Sequence, residues 1–139
     1  MAAFKDAQVI WQSGLAFEGT AGSGFSVRMD TTPDEGGGSG FSPMELVLLG
    51  LASCTAMDVI SILRKMRVPV EGFSVHVKAD LTPNHPRVFT TVRITYRFRG
   101  KELPMDKLET AVKLSQEKYC GVSAMLRKAA ELTYEIQIE

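Results

Sequence analysis

The sequence predicts an α+β domain, and three observations carry that reading. The first third alternates apolar and polar residues between glycines. A long oily segment then opens with helix-start chemistry. A second alternating stretch and two helical stretches follow, with no repeating strand–helix unit. At 139 residues the chain has the size of one domain, 1–139, and 45% apolar residues suffice to build its core.

The elements follow in order. Val9, Trp11 and Phe17, then Phe25, Val27 and Met29, are punctuated by Gly14, Gly19, Gly22 and Gly24, the pattern of strands joined by glycine turns. Thr31 to Gly40, TTPDEGGGSG, reads as a flexible loop by composition. The helix start comes next. Ser42 is an N-cap residue, Pro43 suits the first helical position, and Glu45 completes a capping box. The helix is expected to run to about Arg67, where Pro69 ends it, a length of roughly 37 Å. Its first two-thirds is apolar all round and needs cover on every side. Arg64, Lys65 and Arg67 suit the negative end of its dipole.

Phe73 to Leu81 alternates, Thr82 to Pro86 turns, and Val88 to Phe98 alternates again. Val92, Ile94, Tyr96 and Phe98 share one face of this hairpin. Arg93, Thr95, Arg97 and Arg99 share the other, read as a solvated surface. A second helix opens at Leu103-Pro104-Met105-Asp106, carries Leu108, Val112 and Ser115 on one stripe, and ends near Tyr119. Cys120-Gly121 breaks it. Val122, Met125, Leu126 and Ala129 suggest a short third helix, and Leu132 to Ile138 a last strand. An oily helix needs more cover than one small sheet provides, so a homodimer with packed central helices is expected. The alternative is cover by the two later helices.

Several function classes fall away. Net charge is zero, which argues against nucleic acid as a main partner. The opening MAAFKDAQVIW lacks the pattern of a secretory leader, and the apolar run Leu46 to Met57 is too short to span a bilayer. The expectation is a soluble cytoplasmic protein with no membrane role. Two cysteines are too few for a secreted disulfide scaffold, and His76 and His85 have no ligand spacing to either. No metal and no cofactor are expected. Cys54 and Cys120 are then either core thiols or a redox pair.

Cys54 lies about three turns into the long helix, too far from its positive end to be activated by it. Activation needs a cation or donors supplied by the fold. Gly50, Ala52, Ser53 and Ala56 allow close approach around it, as helix packing also would. Asp58, one turn on, opposes a thiolate by like charge unless a partner such as an arginine neutralises it. Cys120 stands at a helix start, where backbone N–H groups favour a thiolate. Such a contrast suits a two-step cycle: peroxide oxidises the first thiol to a sulfenic acid, and the second condenses with it.

The stretches S-P-M-E-L-V-L-L-G-L-A-S-C (42–54) and E-K-Y-C-G-V-S-A-M-L (117–126) resemble the OsmC/Ohr family of thiol peroxidases, and are most similar to its YhfA-like branch. The resemblance extends over nearly the whole chain in element order. It implies an intertwined α+β homodimer with paired central helices and an active site at the dimer interface. It implies reduction of organic hydroperoxides without a cofactor, Cys54 attacking the peroxide and Cys120 resolving, the disulfide being reopened by a dithiol such as a lipoyl group. The peroxidase members place a glutamate directly after the motif proline. Here that position is Met44, and the acid is Glu45, one place and about 100° further round the helix. Glu45 is therefore read both as a capping residue and as a candidate for the family glutamate. The peroxidases also carry an arginine between the first strands. Trp11 to Val27 has none, and Arg28 is the nearest candidate. These departures keep a second function open, an apolar-ligand-binding or redox-sensing protein on the same fold without fast peroxide turnover.

Overall fold

The computed structural model describes residues 3–139. The chain divides into two compact units, the first ending at Val47 and the second running Leu48–Glu139. Together their elements give the mixed α and β content that the sequence predicts.

The first unit is an antiparallel three-stranded meander, β1 (Ala7–Ser13), β2 (Ala16–Ala21) and β3 (Ser26–Met29), in the order β1-β2-β3. Gly14, at φ +54°, turns β1 into β2. The segment expected to be flexible is instead tied down. The Asp30 carboxylate accepts from the backbone N–H of Thr31 (2.7 Å) and of Ser39 (3.1 Å), and from the Ser39 hydroxyl. Pro33–Glu35 forms a single 3-10 turn inside this clasp. Gly37 is present for space: a side chain there would collide with the Thr31 carbonyl and the Asp30 carboxylate. Composition suggested flexibility, whereas the glycine serves a close approach of backbone to backbone.

The long helix α1 spans Pro43–Lys65, two residues short of the expected end. Its start is a reciprocal capping box: the Glu45 carboxylate accepts from the Ser42 N–H at 2.9 Å, and the Ser42 hydroxyl accepts from the Glu45 N–H at 3.3 Å. Helix α1 has 23 residues, and its most apolar 18-residue window has a mean hydropathy of 2.1, so by length and composition alone it could cross a membrane, unlike the shorter apolar run read from sequence. Its buried stripe, Leu51, Thr55, Val59 and Leu63, repeats every four residues as a core helix does. A stripe containing a hydrogen-bonded threonine belongs to a protein core.

In the second unit β4 (Gly72–Leu81) and β5 (Phe89–Arg99) form the expected hairpin. Val92, Ile94, Tyr96 and Phe98 are fully buried, and Arg93, Arg97 and Arg99 face solvent. Helix α2 (Met105–Leu114) buries Leu108, Ala111 and Val112. It then widens into a π-helical turn, Ser115–Tyr119, closed by the Cys120 N–H on the Ser115 carbonyl at 2.8 Å. Helix α3 (Gly121–Arg127) follows, and β6 (Glu131–Ile138) completes the order β4-β5-β6. β6 runs parallel to β5, because α2 and α3 carry the chain back to the end where β5 began. The unit thus contains one β-α-β crossover, which the element order alone did not disclose.

Candidate functional site

The second unit brings Cys54 and Cys120 together. Cys54 comes from the middle of α1 and is half-buried; Cys120 is the N-cap of α3 and is buried. Both are free thiols. Their sulfurs and a carboxylate oxygen of Asp58 all lie within 4.8 Å of one another. Asp58 reaches this position because it follows Cys54 by four residues, which places both on one face of α1.

Cys120 behaves differently from the sequence expectation. Its sulfur accepts from the Ser123 N–H (3.4 Å) and the Ser123 hydroxyl (3.1 Å), as an N-cap should. Yet its pKa is raised, because burial outweighs those two donors, and the neighbouring Cys54 adds to the rise. The helix start does not make Cys120 a ready thiolate; α3 is only seven residues long, and the sulfur is shut away from water.

A buried polar network ends at Asp58. Arg127 donates to Gln116 twice, to its backbone carbonyl at 3.2 Å and to its side-chain Oε1 at 2.9 Å. That fixes the amide so that Nε2 donates to the Tyr96 hydroxyl at 2.8 Å. Tyr96 and Thr55 share a 2.6 Å bond, Thr55 and Ser115 a 2.8 Å bond, and Ser115 donates to Asp58 Oδ2 at 3.0 Å. Each hydroxyl has one proton, so the direction of every link follows. A carboxylate only accepts, so Ser115 spends its proton on Asp58. Thr55 must then donate to Ser115, and Tyr96 to Thr55. The donors therefore all point one way, from the Arg127 guanidinium to the Asp58 carboxylate. Among the described residues no buried side-chain polar atom is left without a partner, so the network is closed.

The π turn makes this possible. It inserts an extra residue into the last turn of α2, and both of its first two side chains, Ser115 and Gln116, are buried. Asp58 thus meets a hydroxyl where the sequence suggested an arginine.

Arg28 and Glu45 belong to the first unit, and each has local partners. Arg28 is exposed on β3, and its Nε donates to the Ser39 hydroxyl at 3.0 Å. Glu45 closes the capping box of α1, and its hydrogen bonding with Ser42, the backbone N–H first, holds its carboxyl below the usual range.

The fold and both cysteines invite comparison with known proteins. The OsmC-like protein family matches residues 36–135. The chain belongs to the OsmC-like family. Protein YhfA of Escherichia coli K12 is 37% identical over 132 residues, covering 95% of this chain and 96% of the relative. A hypothetical protein of Aquifex aeolicus VF5 has a similar structure, with TM-score 0.84, 30% identity and 99% of each chain covered. The organic hydroperoxide resistance protein OhrB of Bacillus subtilis has TM-score 0.65 at 17% identity, covering 97% of this chain and 98% of that one, a likeness of fold. Membership in the OsmC-like family thus agrees with the resemblance carried by the two cysteine motifs.

Asp58 had drawn attention in the sequence, but Thr55, Tyr96, Ser115, Gln116, Ser123 and Arg127 had not been read as site residues. A usable signal existed for two of them. Tyr96 and Ser115 sit at core positions of an alternating strand and a helical stripe, and a polar group placed in a core requires a partner.

Proposed function

We propose that this OsmC-like protein is a thiol peroxidase for organic hydroperoxides, working without a cofactor in the cytoplasm. The observation that carries the reading is the approach of two free thiols, distant in sequence, to within 4.8 Å, one half-exposed and one buried. In this reading Cys54 attacks the terminal peroxide oxygen, the O–O bond breaks, and the alcohol departs. The sum is Cys54–SH + ROOH → Cys54–SOH + ROH. Cys120 then forms the S–S bond. Its proton leaves with the sulfenic hydroxyl as water. A dithiol reductant, of the lipoyl type, reopens the disulfide. Fold likeness to organic hydroperoxide resistance proteins supports the substrate class.

The reading includes a homodimer. Leu49, Ser53 and Met57 form an exposed stripe on α1, and Met57 is 72% exposed. A second copy is the natural cover for such a face.

The test is a thiol count with non-reducing mass spectrometry after one equivalent of cumene hydroperoxide, with hydrogen peroxide in parallel. The expected result is rapid loss of both thiols and a Cys54–Cys120 linkage, faster with the organic peroxide. Cys54→Ser should abolish peroxide consumption, and Cys120→Ser should trap a sulfenic acid at Cys54. Survival of both thiols for minutes in excess peroxide would reject the peroxidase.

One observation favours a second reading, an apolar-ligand-binding protein. The first unit holds a cleft of about 390 Å³ lined by Val9, Leu15, Phe17, Met29 and Pro43, a volume within the range of small-molecule sites. Ligand binding without peroxide turnover would decide for it.

A further inference from the structure

We infer that Cys54, Asp58 and Cys120 form a binding site for a soft divalent cation of the zinc type, and that metal and oxidant compete for the same two sulfurs. The peroxidase reading uses both thiols and leaves Asp58 without a task. Around a dication the same three groups become a ligand set.

The geometry is close to what zinc requires. Two thiolates at about 2.3 Å from a tetrahedral ion lie about 3.8 Å apart. Here all three donor atoms already lie within 4.8 Å of one another, so closure calls for at most about 1 Å on the sulfur–sulfur edge and about 1.3 Å on a sulfur–oxygen edge, within reach of small side-chain rotations. Cys54 and Asp58 stand one helical turn apart on α1, and Cys120 approaches from the start of α3.

The surrounding donors are the second, independent observation. Metal ligands are held in orientation by hydrogen bonds from behind. Asp58 accepts from Ser115 at 3.0 Å, and Ser115 is itself held by Thr55 at 2.8 Å. Cys120 accepts from both the N–H and the hydroxyl of Ser123. Two of the three ligands therefore carry their outer partners already, and Cys54, half-buried, leaves an approach from solvent.

Ligand chemistry selects the metal. Two sulfurs discriminate against magnesium and calcium, which take oxygen. Three protein ligands leave a fourth position open for water. Binding is not a redox step: the ion replaces the two thiol protons, which are released to the buffer. Oxidation to the disulfide removes both sulfur ligands, so an oxidised chain cannot hold the ion. A bound ion in turn ties up both sulfur lone pairs and shields them from peroxide.

The test uses the full chain, reduced and stripped with chelator, titrated with cobalt(II) as a coloured stand-in and then with zinc(II). The expected result is sulfur-to-cobalt charge-transfer absorption saturating at one equivalent per chain, release of up to two protons, and bleaching by one equivalent of zinc. The disulfide form and Cys54→Ser should lose the absorption. Asp58→Asn keeps an acceptor for Ser115 and both thiols, and should bind at least tenfold more weakly. Ser123→Ala, which removes one outer donor, should weaken binding about tenfold. Absence of thiolate–cobalt absorption in the reduced chain, or unchanged affinity in Asp58→Asn, overturns the site. Zinc-loaded protein should form its disulfide at least tenfold more slowly than the stripped protein. An unchanged rate with zinc bound overturns the competition. If the stripped protein never oxidises, the peroxidase reading falls alone, because cobalt binding is read without any peroxide.

Discussion

Tyr96 donates its hydroxyl to Thr55 across 2.6 Å in the core of the second unit, although 41 positions separate the two residues. Thr55 is the residue after Cys54, and both hydroxyls are fully buried. This bond ties the middle of α1 to the central strand β5. Thr55→Val deprives Tyr96 and Ser115 of a partner each, and Tyr96→Phe deprives Thr55 and Gln116. Each substitution should cost about 1–3 kcal/mol, the penalty for a buried group left short of a hydrogen bond. The double variant should cost less than the sum, because once one hydroxyl is gone the other has less to lose. Urea unfolding of the four proteins measures this. Strict additivity, or losses below about 0.5 kcal/mol, would show that the directed chain of donors contributes little.

The two cysteines should separate cleanly under alkylation. Cys54 is half-buried, whereas Cys120 is 3% exposed with its pKa raised by burial. Alkylation needs both access and thiolate. At neutral pH, iodoacetamide should label Cys54 while Cys120 stays unmodified until the chain is unfolded in urea, as peptide mass mapping would read. Preferential labelling of Cys120 would mean that its N-cap donors outweigh its burial.

Much of this was legible from sequence for identifiable reasons. The capping box at Ser42 and Glu45, the alternation of Val92 to Phe98 and the stripe of Leu108 and Val112 are local patterns, and local patterns survive folding. The cysteine pair was one of two readings left by elimination and by the contrast between the two helix positions, and a family resemblance then assigned the two roles. What stayed hidden depends on contacts between remote segments. Nothing in SQEKY announces a π turn, and without that turn Ser115 and Gln116 are two ordinary polar residues. The clasp on Asp30 was likewise invisible, because its glycine-rich loop has the composition of a flexible one. The spacing of Cys54 and Asp58 was in plain view, but only the arrival of Cys120 turns it into three converging donors.

Stability should fall at alkaline pH, in two steps. Burial raises the pKa of Cys120 above its ordinary value of 9.0 and that of Tyr96 above 10.0. In the unfolded chain both ionise at their ordinary values, while in the folded chain both hold their protons longer. The folded state therefore binds more protons in this window, and stability drops as pH rises. Below pH 9.0 both contributions are fully present. With chelator and reductant present, the urea midpoint should decline above pH 9.0. Cys120→Ala should remove the earlier part of the decline and Tyr96→Phe the later part. A midpoint flat through pH 10 would show that Cys120 is not protected, and one flat on through about pH 11 that Tyr96 is not.

The face of α1 opposite its core stripe allows a test of assembly. Leu51, Thr55, Val59 and Leu63 are buried, while Leu49, Ser53 and Met57 lie on the exposed side. If two copies pair through that side, Met57 moves from water into an apolar contact, and a charge there must be desolvated on pairing. Met57→Glu should then sediment as a monomer at concentrations where the natural protein is a dimer. Its far-ultraviolet circular dichroism should stay unchanged, because Met57 is 72% exposed in the single chain and supports none of its core. Met57→Leu keeps the apolar surface and should remain dimeric. A dimer that persists in Met57→Glu puts the interface elsewhere, and a natural protein that sediments as a monomer at high micromolar concentration rejects the homodimer. The same pair of variants separates assembly from chemistry. If thiol oxidation by cumene hydroperoxide slows in Met57→Glu but not in Met57→Leu, pairing supports the reactive site. If both oxidise at the natural rate, Cys54, Asp58 and Cys120 suffice within one chain.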